Sequence, residues 1–168
     1  CYNWTNNTAN FNNVVFELPD NISSDTSSTT LYHTTHTNFN TKIINISGKS
    51  KEYFMLENIG HKGYQAGLDY GLGGNDNTSG IAIWHIDENQ SVNSDETHRL
   101  VDLEEAAEAG LDEGTHSGKQ ANLFYSGNKT EFSNSTDPNS KTYAGSSSGI
   151  TIDDISASGD NMTFKVTF

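Results

Sequence analysis

The sequence predicts an all-β fold: an antiparallel β-sandwich-like domain with long polar loops and at most one short helix. Three observations predict it. Short stretches of strand type recur along the chain, bounded by Gly, Asn and Ser turns. The 168 residues include 20 Asn, 19 Ser and 18 Thr, side chains that favour turns, loops and strand surfaces over helix interiors. Long amphipathic helical periods are absent. Many short strands without such helices argue for packed antiparallel sheets.

Residues 1–40 read as a polar, Asn/Ser/Thr-rich N-terminal arm with one or two strands. Within it "NISSDTSSTT" is a low-complexity run between "VVFELP" and "LYHTTHTNF". It reads as a loop between two strands or a partly disordered arm. Residues 41–168 read as the β-sandwich domain. "TKIINIS" and "EYFMLENI", with a Gly-Lys-Ser turn between them, predict a hairpin. The Gly-rich loop "HKGYQAGLDYGLGGNDNTSG" leads into a strand from Gly80 to Glu88.

Alternation in that strand puts Ile81, Ile83, His85 and Asp87 on one face, and Ala82, Trp84, Ile86 and Glu88 on the other. Both faces are apolar until the last residues, as in a central buried strand. "HRLVDLEEAAEAG" predicts a strand through Leu103 or Glu104, then a short helical turn stopped by glycine. A long loop containing "LDEGTHSGKQ" leads to "NLFYSG" and "TEFSNS". "GITIDDIS" and "MTFKVTF" close as a hairpin through "SASGDN", with Met162, Phe164, Val166 and Phe168 on one face.

Charge removes some function classes. Lys and Arg total 9 against 22 acids, a formal charge of -13, and Arg99 is the only arginine. Nucleic acid needs a cationic footprint that this chain lacks, and an anionic membrane surface is as poor a partner. No stretch approaches the roughly 20 apolar residues of a membrane helix. The acidity suggests a solvated surface, calcium, or both. Cys1 is the only cysteine, so no internal disulfide forms. It reads either as a lipidated mature N-terminus or as a cut point. Asn-x-Ser/Thr sequons stand at Asn3, Asn6, Asn21, Asn45, Asn77, Asn89, Asn128, Asn134 and Asn161, about twice the number that composition gives by chance. They predict an exported glycoprotein, extracellular or at the cell surface.

Three stretches carry a family resemblance over roughly residues 41–168: "EYFMLEN" before the Gly-rich loop and "SGIAIWHIDEN", then "LVDLEEA", then the tail from "NLFYSGNKTEF" to "DNMTFKV". In order and spacing they resemble the C-terminal, non-catalytic β-rich part of secreted metallopeptidases of the immune inhibitor A type. The resemblance implies an upstream catalytic domain whose zinc is held by an HExxH helix. No HExxH occurs here, and the histidines are His33, His36, His61, His85, His98 and His116. "HTTH" at 33–36 points its histidines to opposite faces of a strand. No catalytic residue and no zinc are therefore expected in this chain. One departure is "SGKQAN" before Leu123 and Phe124, where family members are acid-rich; it puts in doubt any calcium site built on those acids.

His85 is expected neutral and hydrogen-bonded at the core edge. Asp87, Glu88, Asp102 and Glu104 are the candidate calcium ligands, since strand-end carboxylates beside oxygen-rich loops suit a hard ion; Asp112 and Glu113 join the same acidic set. Ordinary solvated acids are the alternative. The functional expectation is a non-catalytic β domain of a secreted metallopeptidase-like protein, glycosylated and calcium-stabilised. The alternative is a free-standing structural or adhesive glycoprotein subunit that self-associates through strand edges at residues 10–20 or 29–36. A carbohydrate-binding module is a third reading: seven Tyr and two Trp are available, without a distinctive platform spacing.

Overall fold

The computed structural model describes residues 19–32, 41–60, 79–107, 110–111, 114 and 118–168. They form β1 (Asp20–Ile22), β2 (Thr29–Tyr32), β3 (Lys42–Asn45), β4 (Glu52–Ile59), β5 (Gly80–Asp87), β6 (Val101–Leu103), β7 (Thr151–Asp153) and β8 (Asn161–Thr167). A single 3-10 turn at Gln120–Asn122 is the only helical element among the described residues. The fold is all-β, as the sequence predicts. Among the described residues no helix is long and apolar enough to cross a membrane.

The strands make two sheets. One has five strands in the order β1-β3-β4-β5-β6; the other has three, in the order β2-β8-β7. All pairings are antiparallel except β1 with β3, which is parallel. The five-stranded sheet is therefore mixed. The reason lies in the connection: β2, between β1 and β3 in sequence, belongs to the other sheet. The chain crosses between sheets and returns, so β1 and β3 are not joined by a tight hairpin turn. "NISSDTSSTT" supplies the ends of β1 and β2 and the loop between them.

The inner faces of the two sheets share one core. Ile44, Phe54, Leu56, Ile81 and Ile83 of the first sheet pack in one cluster with Leu31, Ile152, Met162, Phe164 and Val166 of the second. Phe132 fills the middle, meeting Phe54 edge-on at 5.2 Å and Phe124 at 5.8 Å. These are favourable aromatic geometries, in which a positive ring edge meets a negative face. Buried Asn58 of β4 joins the layers, its Nδ2 donating to the carbonyls of Leu31 and Gly159 at 3.2 and 3.0 Å. The hairpins β3–β4 and β7–β8 form as predicted.

Other details differ from the sequence reading. Ala106 and Ala107, in the described part of the segment predicted to form a helical turn after β6, are not helical. Their N–H groups bond instead to the carbonyls of Asn122 and Ala121, at 3.0 and 2.9 Å, so a neighbouring segment takes the donors that a helix would use. "NLFYSG" and "TEFSNS" pair only at isolated bridges, Ile81 with Phe124 and Phe132 with Ile152. Phe168 lies beyond the end of β8 and is 42% exposed, although its strand-mates Met162, Phe164 and Val166 are buried. "VVFELP" up to Leu18, "HTTH", the Gly-rich loop up to Thr78, Asp112 and Glu113 lie outside the described residues.

Gly80 opens β5 where residues 123–125 cross it. A Cβ built there would lie 2.7 Å from the Leu123 Cβ and 3.2 Å from the Phe124 carbonyl oxygen. Gly80→Ala should therefore cost about 1–3 kcal/mol through overpacking. Denaturant unfolding reads the change, and an unaltered midpoint would mean that the crossing segment yields freely.

A closed charged cluster as candidate functional site

The inward positions of β4 and β5 run in cross-strand pairs from Asn58 and Ile81 through Leu56 and Ile83 to Phe54 and His85, then Glu52 and Asp87. The core thus turns from apolar to charged at one end of the sandwich. β6 adds Asp102, in register with His85.

His85 is 3% exposed. Its Nε2 lies 3.2 Å from Glu52 Oε1 and its Nδ1 3.1 Å from Glu104 Oε1. A neutral imidazole carries one N–H and satisfies one of these acids at a time; a ring protonated at both nitrogens satisfies both. Glu52 Oε1 also accepts the Tyr143 backbone N–H at 2.7 Å, while Oε2 faces Lys49 Nζ at 3.4 Å. Tyr143 slides between two imidazoles, stacked on His85 at 4.2 Å and on His98 at 4.1 Å.

His98 Nε2 sits 2.7 Å from Asp87 Oδ2. Asp87 Oδ1 accepts the Asn89 backbone N–H at 2.9 Å and its Nδ2 at 2.7 Å. Burial pushes the Asp87 carboxyl up, but the bonds from Asn89 and His98 outweigh it and hold it below the usual carboxylate range. Arg99 Nη1 donates to Asp102 Oδ1 at 2.9 Å. Burial, then the charges of Asp102, Glu104 and Asp87, push the Tyr143 phenol well above its ordinary value. It stays a neutral hydroxyl.

The predicted acids separate by partner. Asp87 goes to His98, Glu104 to His85 and Asp102 to Arg99. Glu88 alternates to the opposite face of the sheet, where it accepts the Tyr53 hydroxyl at 3.0 Å. Among the described residues no group of three or more His, Cys, Asp or Glu is arranged to hold one metal ion. Sequence reasoning missed Glu52, His98 and Tyr143. Glu52 had a signal, since it shares the inward register of Phe54 and Leu56. Tyr143 had none, because it arrives from a loop 91 residues away.

The sequons also separate. Asn21, Asn45, Asn89, Asn134 and Asn161 are exposed. Asn45 and Asn89 each donate one bond from Nδ2, the atom that would bear a glycan, whereas half-buried Asn128 donates two from it, to the carbonyls of Ala121 and Leu123 at 2.9 and 2.8 Å. Asn3, Asn6 and Asn77 lie outside the described residues. Compared with known proteins, the chain matches no family model, no curated protein and no solved structure.

Two predictions follow the geometry of the cluster. Glu52→Ala strips the acceptor from both His85 and the Tyr143 N–H and should cost about 3 kcal/mol or more. Glu52→Gln keeps an acceptor and should cost less; equal losses would deny the role of the shared oxygen. The second concerns acid. A carboxyl held lower in the fold than in the unfolded chain adds stability that is present above its unfolded value and lost as pH falls through the folded one. Melting temperature should therefore fall in acid, and Asp87→Asn should flatten that fall. An identical acid limb in the variant would contradict the assignment.

Proposed function

We propose that the chain is a non-catalytic β domain of a secreted, metallopeptidase-like protein, glycosylated at exposed sequons, which packs on or follows a zinc catalytic domain. The family part rests on the sequence resemblance of "EYFMLEN", "SGIAIWHIDEN", "LVDLEEA" and the tail. The non-catalytic part rests on one observation: the buried charged cluster is closed. Both His85 nitrogens and both Asp87 oxygens are engaged within the chain, and Tyr143 covers the imidazole face. Metal-dependent peptide hydrolysis needs an activated water at an open coordination position with a base beside it. A histidine clamped between two acids and an aromatic ring offers no such opening, so the cluster reads as a structural clamp.

The alternative, a self-assembling extracellular glycoprotein, is favoured by the placement of β1 and β2. Each is an edge strand of its sheet among the described residues, and edges invite added strands. One preparation tests both readings. Purified chain with zinc should leave casein intact, and chelator-sensitive turnover would overturn the non-catalytic reading. Light scattering on the same sample separates the roles: a monomer fits an accessory domain, and growth with concentration fits self-assembly.

A further inference from the structure

The side chains of β3, β4 and β5 that point away from the core build a second surface, on the opposite face of the sheet from the charged cluster. Ile43 is registered with Met55, and Tyr53 with Ile86. Ile43, Met55 and Ile86 therefore lie together, and they line a groove of about 190 Å³. The rest of the lining is largely polar: Asn21, Asn45, Ser50 and Glu88, with the Tyr53 hydroxyl. These groups are already oriented. Asn45 Nδ2 donates to Asn21 Oδ1 at 3.3 Å, and the Tyr53 hydroxyl donates to Glu88 Oε1 at 3.0 Å.

Size and charge narrow the ligand. The groove is smaller than the roughly 300 Å³ at which sites for drug-sized ligands begin, so it suits a single ring. Among the described residues its lining holds no Lys, Arg or His. A phosphate or carboxylate would find no counter-charge and would meet Glu88. The polar groups instead suit hydroxyls: amides donate and accept, hydroxyls do both, and a carboxylate accepts. The apolar side chains suit a C–H face.

We infer that this groove is a subsite for a neutral sugar ring, its C–H face against Ile43, Met55 and Ile86 and its hydroxyls bonded to Asn21, Asn45, Tyr53 and Glu88. Burial, then the bond and charge of Glu88, hold the Tyr53 phenol above its ordinary value, so it remains a donor. The sugar has two sources. Asn21 and Asn45 are both exposed Asn-Ile-Ser sequons, so the ring arrives either from solvent or as part of an N-linked glycan on one of them. The inference is independent of the metallopeptidase reading, since it uses only the outer face of the sheet.

Two preparations of the full chain test it, one unglycosylated and one from a host that attaches N-glycans. The unglycosylated, isotope-labelled chain is titrated with glucose, galactose, mannose and N-acetylglucosamine. Binding from solvent should shift the resonances of Tyr53, Met55 and Ile86 at millimolar sugar. Tyr53→Phe, which removes only a rim hydroxyl, should weaken that binding by about tenfold, the effect of one hydrogen bond; a melt confirms that the variant is folded. In the glycosylated chain, peptide mapping reads occupancy at Asn21 and Asn45, and cross-relaxation reads contact between glycan protons and the Ile86 and Met55 side chains. Shifts that Tyr53→Phe weakens assign an external saccharide. Glycan contacts without free-sugar binding assign the chain's own glycan. Shifts confined to other surfaces, or neither signal, overturn the inference.

Discussion

β5 must be covered on both faces, and the architecture follows from that constraint. It is hydrogen-bonded to β4 on one edge and to β6 on the other. Every side of it but Trp84 is buried. Ile81 and Ile83 are fully excluded from water on the inner face, where each contributes on the order of 1.5–3 kcal/mol. That gain requires a second layer, and β2, β7 and β8 supply it. The outward residues of the same strand, Ala82 and Ile86, are buried as well. A strand buried over nearly all its length has little room for polar groups except at its ends, and His85 and Asp87 lie at one end of it.

The charged cluster answers a problem that this register creates. Removing an imidazole and its carboxylates from water costs free energy that their attraction repays only when the hydrogen bonds are made. The arrangement makes them: Glu52 serves His85 and the Tyr143 backbone from one oxygen, and Asp87 divides its two oxygens between Asn89 and His98. What the cluster secures is position. It ties β4, β5, the segment following β6 and the loop carrying Tyr143 to a shared set of atoms. Loops that would otherwise drift over the open end of the sandwich acquire one location.

The sheet fold was legible in the sequence because alternation is a strong signal where one face is buried. The β3–β4 and β7–β8 hairpins and the doubly buried β5 follow directly from residue pattern. The parallel β1–β3 pairing was not legible, since nothing local states which sheet a three-residue strand will join. Alternation places Trp84 on the outer face with Ala82 and Ile86, yet of the three it alone is only half-buried, a difference that alternation cannot show. The site was half legible. "WHIDE" drew attention to His85 and Asp87, and alternation divided Glu88 from them. Their partners came from sequence-distant segments, and hydrogen bonds across such distances leave no periodic trace. The sequence left calcium ligation and simple solvation open for these acids; it could not show that His98, His85 and Arg99 stand beside Asp87, Glu104 and Asp102.

The pairing of β2 with β8 bears on how the chain reaches this state during synthesis. Thr26 bonds through its backbone and side chain to Val166, a separation of 140 residues, and the Asp25 carboxylate accepts the Phe168 N–H, 143 residues away. A polypeptide emerges N-terminal end first, so the early segment must wait for a partner made much later. Until β8 arrives, Leu31 lacks its layer, and Ile44, Phe54, Leu56 and Ile83 have no opposing sheet. Contacts of such long range form slowly. Before that closure the apolar strands lack their opposing layer, and the Ser- and Thr-rich loop beside β2 and the chain's strong negative charge are features of the kind that disfavour association of such strands.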